Sequence, residues 1–146
     1  MIPMNVAGAP MGVLAGAIVA LLVALLGRVA GFDRDRAFYS TLLIVVASYY
    51  VLFAAIGGSA HALVVEGAVM GVFTAAALAA FRWRPWIAAA GLVGHGVFDL
   101  VVHGHLVANP GMPAWWPPFC AAFDLVAGAF LGGLLIYARE PYLRDS

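Results

Sequence analysis

Residues Gly94–Leu106 read GHGVFDLVVHGHL and set several ionisable side chains in a strongly apolar background. On a helix, His95, Asp99 and His103 fall at positions i, i+4 and i+8, so they share one face with a turn between neighbours. An ionisable side chain is costly in lipid and by default marks a functional site of a membrane protein. The stretch therefore predicts a helix of the membrane interior that contributes to such a site.

The composition of the whole chain is that of a membrane protein. Of its 146 residues, 65% are hydrophobic and 10% are charged, whereas soluble domains are nearer half apolar and a quarter charged. A chain of this length buries only part of such an apolar surface in its own core, so the remainder is expected to face lipid. The formal net charge is zero, and without a basic patch we expect no nucleic-acid partner. The single cysteine, Cys120, excludes an intramolecular disulfide.

Five apolar segments have about the 20-residue length that a bilayer requires. They cover roughly residues 10–30, 37–57, 59–81, 86–105 and 118–138. The sequence thus predicts an all-α, polytopic integral membrane protein in which residues 1–146 form a single bundle of five transmembrane helices. All seven basic residues are arginines that fall on one side of this topology. The positive-inside rule then places the N-terminus outside and the C-terminus in the cytoplasm, as expected for a multi-pass protein of a bacterial plasma (inner) membrane.

Small residues recur every four positions in the first segment. They are Gly8, Gly12, Gly16, Ala20 and Ala24. Such a ridge allows two helices to approach closely. Packing inside the bundle is the favoured interpretation, and a homodimer through Gly8, Gly12 and Gly16 is the alternative.

The three carboxylates within the apolar segments lie on the third, fourth and fifth segments, at Glu66, Asp99 and Asp124. At 1.5 Å per residue each is ~9–10 Å below the outer surface, so the three share one level. Each costs at least ~2.5–3.5 kcal/mol in lipid unless it is neutralised or paired. We therefore expect one convergent cluster that faces the bundle interior, with these carboxylates as candidate catalytic groups.

Histidine and carboxylate ligands suit zinc or another divalent first-row metal. The candidate ligands are His61, His95, Asp99, His103 and Asp124. His95 and His103 lie ~12 Å apart along a helix, so a site would combine Asp99 with one flanking histidine and with a residue from another helix. A metal with an open coordination position activates water, which predicts a metal-dependent membrane hydrolase acting on a lipid or prenyl-type substrate.

Aromatic residues near the same level are candidates for the substrate pocket. They are Tyr49, Tyr50, Phe98, Trp115 and Trp116. Their π faces also suit a metal-free alternative, in which buried carboxylates move protons and the rings stabilise a carbocation. That alternative is a lipid or isoprenoid isomerase or cyclase.

Other interpretations stay open at this point. His61 and His103 share a level on different helices, as axial ligands of haem b would. Intramembrane chains of Asp, Glu and His also form proton or small-solute pathways, although polar residues become scarce in the inner half of this chain. The remaining alternative is a non-catalytic accessory subunit of a membrane complex.

Overall fold

A computed structural model describes residues 8–103 and 105–137, and those residues are almost entirely helical. The five α-helices are α1 (Ala9–Ala30), α2 (Ala37–Ile56), α3 (Ala60–Arg82), α4 (Trp86–Val101) and α5 (Trp116–Tyr137). A short 3-10 turn, Phe32–Arg34, connects α1 to α2. The part of the chain that is described contains no strand, which confirms the prediction of an all-α protein.

Four of the helices are long and apolar enough to cross a membrane, namely α1, α2, α3 and α5. The fourth helix in the chain, α4, has 16 residues and is therefore about 24 Å long, shorter than the ~30 Å of a bilayer core. It ends at Val101, earlier than the predicted His105. The backbone N–H groups of His105, Leu106 and Val107 all converge on the Val102 carbonyl, which closes a turn and prevents another helical turn.

The polarity of the bundle is the reverse of that in a soluble protein. Large apolar side chains lie on its surface, and Val29 and Val64 are 88% and 73% exposed. Glu66, Asp99 and Asp124, in contrast, are almost completely buried. Soluble proteins keep such carboxylates in water, so this arrangement suits a lipid surround.

The small-residue ridge of α1 packs against α5. Gly12 and Gly16 are both buried on that side, and a Cβ atom at Gly16 would overlap the backbone carbonyl of Phe119. Glycine is therefore needed for α1 and α5 to lie this close together. The structure uses the ridge for packing within one chain, and the homodimer through Gly8, Gly12 and Gly16 stays a prediction.

The interior of the bundle divides into an apolar half and a polar half. Toward the end that holds the α1–α2 and α3–α4 connections, the core is built from residues such as Leu43, Leu92 and Leu131. Toward the opposite end, where α4 leads into the loop before α5, buried ionisable side chains replace them. The candidate site lies in this second half.

Candidate metal centre

A cluster of buried polar side chains fills one half of the bundle interior, and we call it the polar cluster. Helices α3, α4 and α5 and the segment between α4 and α5 all contribute to it. Its members are Glu66, His95, Asp99, His103, Asn109, Cys120 and Asp124, each no more than 7% exposed. The three carboxylates that the sequence places at one level therefore do meet in the interior.

Two histidines connect the three carboxylates of this cluster. His103 Nε2 lies 2.9 Å from Oε2 of Glu66, and His103 Nδ1 lies 2.8 Å from Oδ1 of Asp99. His95 Nδ1 lies 2.6 Å from Oδ2 of Asp124 and 3.5 Å from Oδ2 of Asp99. Asp99 therefore sits between the two imidazoles, and a continuous row of carboxylates and imidazoles joins α3 to α5. Such a row keeps the carboxylates paired, which is what makes their burial tolerable.

Four members of the polar cluster are close enough together to hold a metal ion. They are His95, Asp99, Cys120 and Asp124, whose ligand atoms all lie within 4.8 Å of one another. The spacing of Cys120 and Asp124 puts both on one face of α5, and the Cys120 thiol donates to Oδ2 of Asp124 over 3.8 Å. All four residues are buried, so an ion bound here would lie in the interior of the bundle.

Several polar atoms in the same place have no hydrogen-bond partner. They are Oη of Tyr50, Nε2 of His95, Oδ2 of Asp99 and Oδ1 of Asp124. Buried polar groups in proteins are nearly always paired, so the unpaired atoms on His95, Asp99 and Asp124 are ones that a bound group could satisfy.

The donor set of these four residues could hold a metal ion. One imidazole nitrogen, one thiolate sulfur and two carboxylate oxygens are ligands that zinc accepts in tetrahedral sites, whereas the hard cations take oxygen ligands only. In a tetrahedral zinc site, neighbouring ligand atoms are about 3.3–3.8 Å apart, from the metal–ligand bond lengths. The ligand atoms of this cluster lie within 4.8 Å of one another, a limit about 1 Å beyond that spacing.

His103 contacts two aromatic rings and two carboxylates, and it lies beside the four candidate metal ligands rather than among them. The ring of Tyr50 stacks on its imidazole at 3.7 Å with an interplanar angle of 7°, and Phe98 meets it edge-on at 5.1 Å. Both of its ring nitrogens face carboxylates. Asn109 completes the arrangement, since its Nδ2 donates to the Tyr50 carbonyl over 2.9 Å and to Oε1 of Glu66 over 3.2 Å.

The structure does not bring every predicted residue to the polar cluster. His61 lies on an exposed part of α3, away from the buried His103 with which it was expected to share a site. Tyr49 packs on Trp116 with ring centroids 4.9 Å apart, and Trp116 meets Trp115 at 5.5 Å. These three rings form a separate aromatic group between α2 and the start of α5, whereas Tyr50 and Phe98 contact His103.

Sequence reasoning missed two contributors to the cluster and undervalued a third. Asn109 lies in a proline-rich loop, where nothing in the sequence indicates that its side chain is buried. Phe73 of α3 meets the imidazole of His95 edge-on at 4.6 Å, and a phenylalanine in an apolar helix gives no special signal. Cys120 is the third, and its i, i+4 relation to Asp124 in the sequence is a signal that the two share one face of α5.

The fold and this cluster together define the class of protein. It is a helical, apolar protein of the membrane type, with a buried His/Asp/Cys cluster that could hold a metal ion. No family model, curated protein or solved structure matches the chain.

Proposed function

We propose that the protein is a membrane-embedded metalloenzyme that binds zinc, or another divalent first-row ion, and hydrolyses a lipid or prenyl-type substrate. The observation that carries this proposal is the convergence of His95, Asp99, Cys120 and Asp124, whose ligand atoms lie within 4.8 Å of one another. A divalent ion held there would activate a water molecule and polarise an ester or phosphate oxygen of the substrate.

The ligand set determines whether the site is structural or catalytic. With Cys120 as a fourth ligand the site would be closed, as structural zinc sites are. With His95, Asp99 and Asp124 alone it keeps an open position, as catalytic sites do. The second arrangement is supported by the Cys120 thiol, which donates to Asp124 in the structure and so acts as a partner of a ligand.

Glu66 and His103 supply acid–base groups beside the proposed ligands. The Glu66 carboxylate and the His103 imidazole are 2.9 Å apart, close enough to share a proton. Positioned side chains of this kind contribute proton transfer to hydrolysis. Their burial among apolar helices favours a substrate that reaches them from the lipid phase.

The polar cluster suits a one-sided pocket better than a pathway across the membrane. The other half of the interior is filled by apolar residues such as Leu43, Leu92 and Leu131, which offer no route to a proton or solute. Haem b also finds no support, because His61 is exposed and both nitrogens of His103 face carboxylates.

The proposal includes a location and an orientation. All the described arginines lie at one end of the bundle, at Arg28, Arg34, Arg36, Arg82 and Arg84. The positive-inside rule supports a cytoplasmic position for that end and an outer position for the polar cluster. A bacterial inner membrane is the setting in which we expect this protein.

Metal analysis of the detergent-purified protein tests the proposal most directly. Wild type and His61→Ala should carry nearly one metal ion per chain, whereas Asp99→Ala and Asp124→Ala should carry almost none. His61 is the matched control because it is an exposed histidine of the same bundle. Wild type without metal, after purification free of chelators and incubation with zinc, would refute the metal centre.

Cys120→Ser separates the catalytic arrangement from the structural one. If three ligands hold the metal, this variant keeps its metal and its activity on a panel of prenyl diphosphates, phospholipids and lipid esters. Loss of the metal in Cys120→Ser would instead identify a closed four-ligand site. Release of phosphate or fatty acid that zinc supports and Asp99→Ala abolishes would establish the hydrolase.

A further inference from the structure

The candidate metal ligands are closed off from the surface of the bundle. His95, Asp99, Cys120 and Asp124 are each no more than 2% exposed, so a lipid can reach them only if side chains move apart. The contacts between neighbouring helices determine where such a movement costs least. Helix α5 carries two of the four residues, and its contacts with the other helices differ in kind.

Two of the interfaces that α5 forms with other helices are closed by backbone. On the α1 side, Gly16 leaves no room for a Cβ atom between its own helix and the Phe119 carbonyl. On the α4 side, a Cβ atom at Gly96 would lie 3.0 Å from the carbonyl oxygen of Ala121. Rotation of side chains cannot open either interface, because the helices themselves are in contact.

The interface between α2 and α5 is made of aromatic rings instead. The Trp116 ring of the aromatic group meets Tyr49 at 4.9 Å and Phe53 edge-on at 5.1 Å, and both partners belong to α2. Nε1 of Trp116 is buried and has no hydrogen-bond partner among the described residues, so no hydrogen bond fixes the ring in place. Rotation of side chains alone can therefore open a passage here.

The aromatic group lies between the bundle surface and the polar cluster. Trp116, Cys120 and Asp124 fall at positions i, i+4 and i+8, so they share one face of α5. Cys120 is about 6 Å and Asp124 about 12 Å further along the helix than Trp116. On α2, Tyr49 is 38% exposed, whereas the next residue, Tyr50, is buried and stacks on a histidine of the polar cluster. A molecule that passes the Trp116 ring therefore meets the candidate metal ligands next.

We propose that a lipid substrate reaches the metal centre between α2 and α5, where its apolar chain displaces the ring of Trp116. The aromatic group contains no charged side chain, so a hydrophilic ion would lose its hydration there, whereas an alkyl or prenyl chain would exchange one apolar contact for another. Trp116 and Tyr49 are then residues that determine specificity for an apolar chain. The nature of the ligand rests on the proposed function, but access to the site can be measured without metal or turnover.

The single cysteine of the chain, Cys120, reports access to the site directly. The purified full chain, stripped of metal with a chelator, is treated with an N-alkyl maleimide, and thiol alkylation is followed by mass spectrometry. Trp116→Ala should raise the alkylation rate about 5–150-fold, the factor expected when the two aromatic pairs between Trp116 and α2 are lost. Tyr49→Ala removes one of these pairs and should raise the rate less, whereas Trp116→Phe keeps a ring and should react at close to the wild-type rate.

Leu131→Ala is the matched control, because Leu131 is buried on the same helix but in the apolar half. It loosens packing away from the aromatic group and should leave the alkylation rate near that of wild type. An equal acceleration in Leu131→Ala, or an unchanged rate in Trp116→Ala with wild-type helical content, would overturn the proposed entrance. A sulfonated maleimide that reacts as fast as the alkyl reagent would show a passage open to water, and the lipid assignment would be wrong. Trp116-dependent alkylation in a protein without hydrolase activity would support the entrance and remove the proposed function.

Discussion

Replacing Glu66 with glutamine should weaken zinc binding even though Glu66 is outside the proposed ligand set. Glu66 would act on the proposed metal centre through His103, which lies 2.9 Å from its carboxylate and 2.8 Å from that of Asp99. Glutamine keeps the shape of the side chain but removes its charge. Asp99 would then lose part of the support that orients it toward the other ligands.

The free energy of a charged hydrogen bond and the known effect of losing a ligand-orienting residue predict a similar loss of zinc affinity in Glu66→Gln. A hydrogen bond to a charged group contributes about 1.5–3 kcal/mol, and loss of a residue that orients a metal ligand lowers metal affinity about 10–100-fold. A 10–100-fold change corresponds to about 1.4–2.8 kcal/mol. We therefore expect the dissociation constant for zinc to rise by that factor in Glu66→Gln.

Competition with a chromophoric zinc chelator measures the dissociation constant in detergent. His61→Gln provides the control, because His61 is exposed on the same helix and its loss should not change the constant. An unchanged constant in Glu66→Gln, with wild-type helical content, would show that Glu66 and His103 do not orient the ligand. The row of carboxylates and imidazoles would then serve only to hold the helices together.

Further predictions concern the bundle itself. Gly16→Ala should destabilise the protein by about 1–3 kcal/mol, because its new methyl group would meet the backbone of Phe119. Gly67→Ala, with nothing within 4 Å of its Cβ, should instead stabilise α3 by up to about 1 kcal/mol. The free energy of unfolding of both variants is measured in a denaturing detergent. Leu92→Ala should cost about 2–5 kcal/mol in the same assay, since Leu92 is fully buried in the apolar half. Asn109→Ala removes the Nδ2 donor to the Tyr50 carbonyl and to Oε1 of Glu66, so we expect a loss of about 1–3 kcal/mol and faster proteolysis between α4 and α5. Proteolysis at the wild-type rate would contradict this role.

Much of this fold follows from the lengths of the apolar segments in the sequence and from the rise per residue of an α-helix. The long helices begin and end close to the predicted boundaries, because those boundaries coincide with Gly57-Gly58, with Pro85 and with charged loops. The meeting of Glu66, Asp99 and Asp124 follows from the same arithmetic, since equal depth on three neighbouring helices requires only a rise of 1.5 Å per residue.

Rotation of each helix and the path of its loops are harder to predict. His61 and Glu66 lie about 140° apart around α3, so only packing determines that Glu66 faces inward and His61 outward. Asn109 and the early end of α4 depend on how residues 105–115 fold back over α2, as the bond from Asn109 to the Tyr50 carbonyl shows. Such contacts join residues far apart in the chain, and no local pattern encodes them.

The shortness of α4 has a consequence for how the protein enters the membrane. A helix of 16 residues that includes Asp99 and His95 partitions poorly from the translocon, because it is short and because ionisable side chains are costly in lipid. Asp124, the carboxylate that pairs with His95, belongs to α5 and is synthesised later. We therefore expect α4 to wait beside the translocon until α5 has left the ribosome, so that the two enter the lipid as a pair. Biogenesis, as much as chemistry, then depends on the contact between His95 and Asp124.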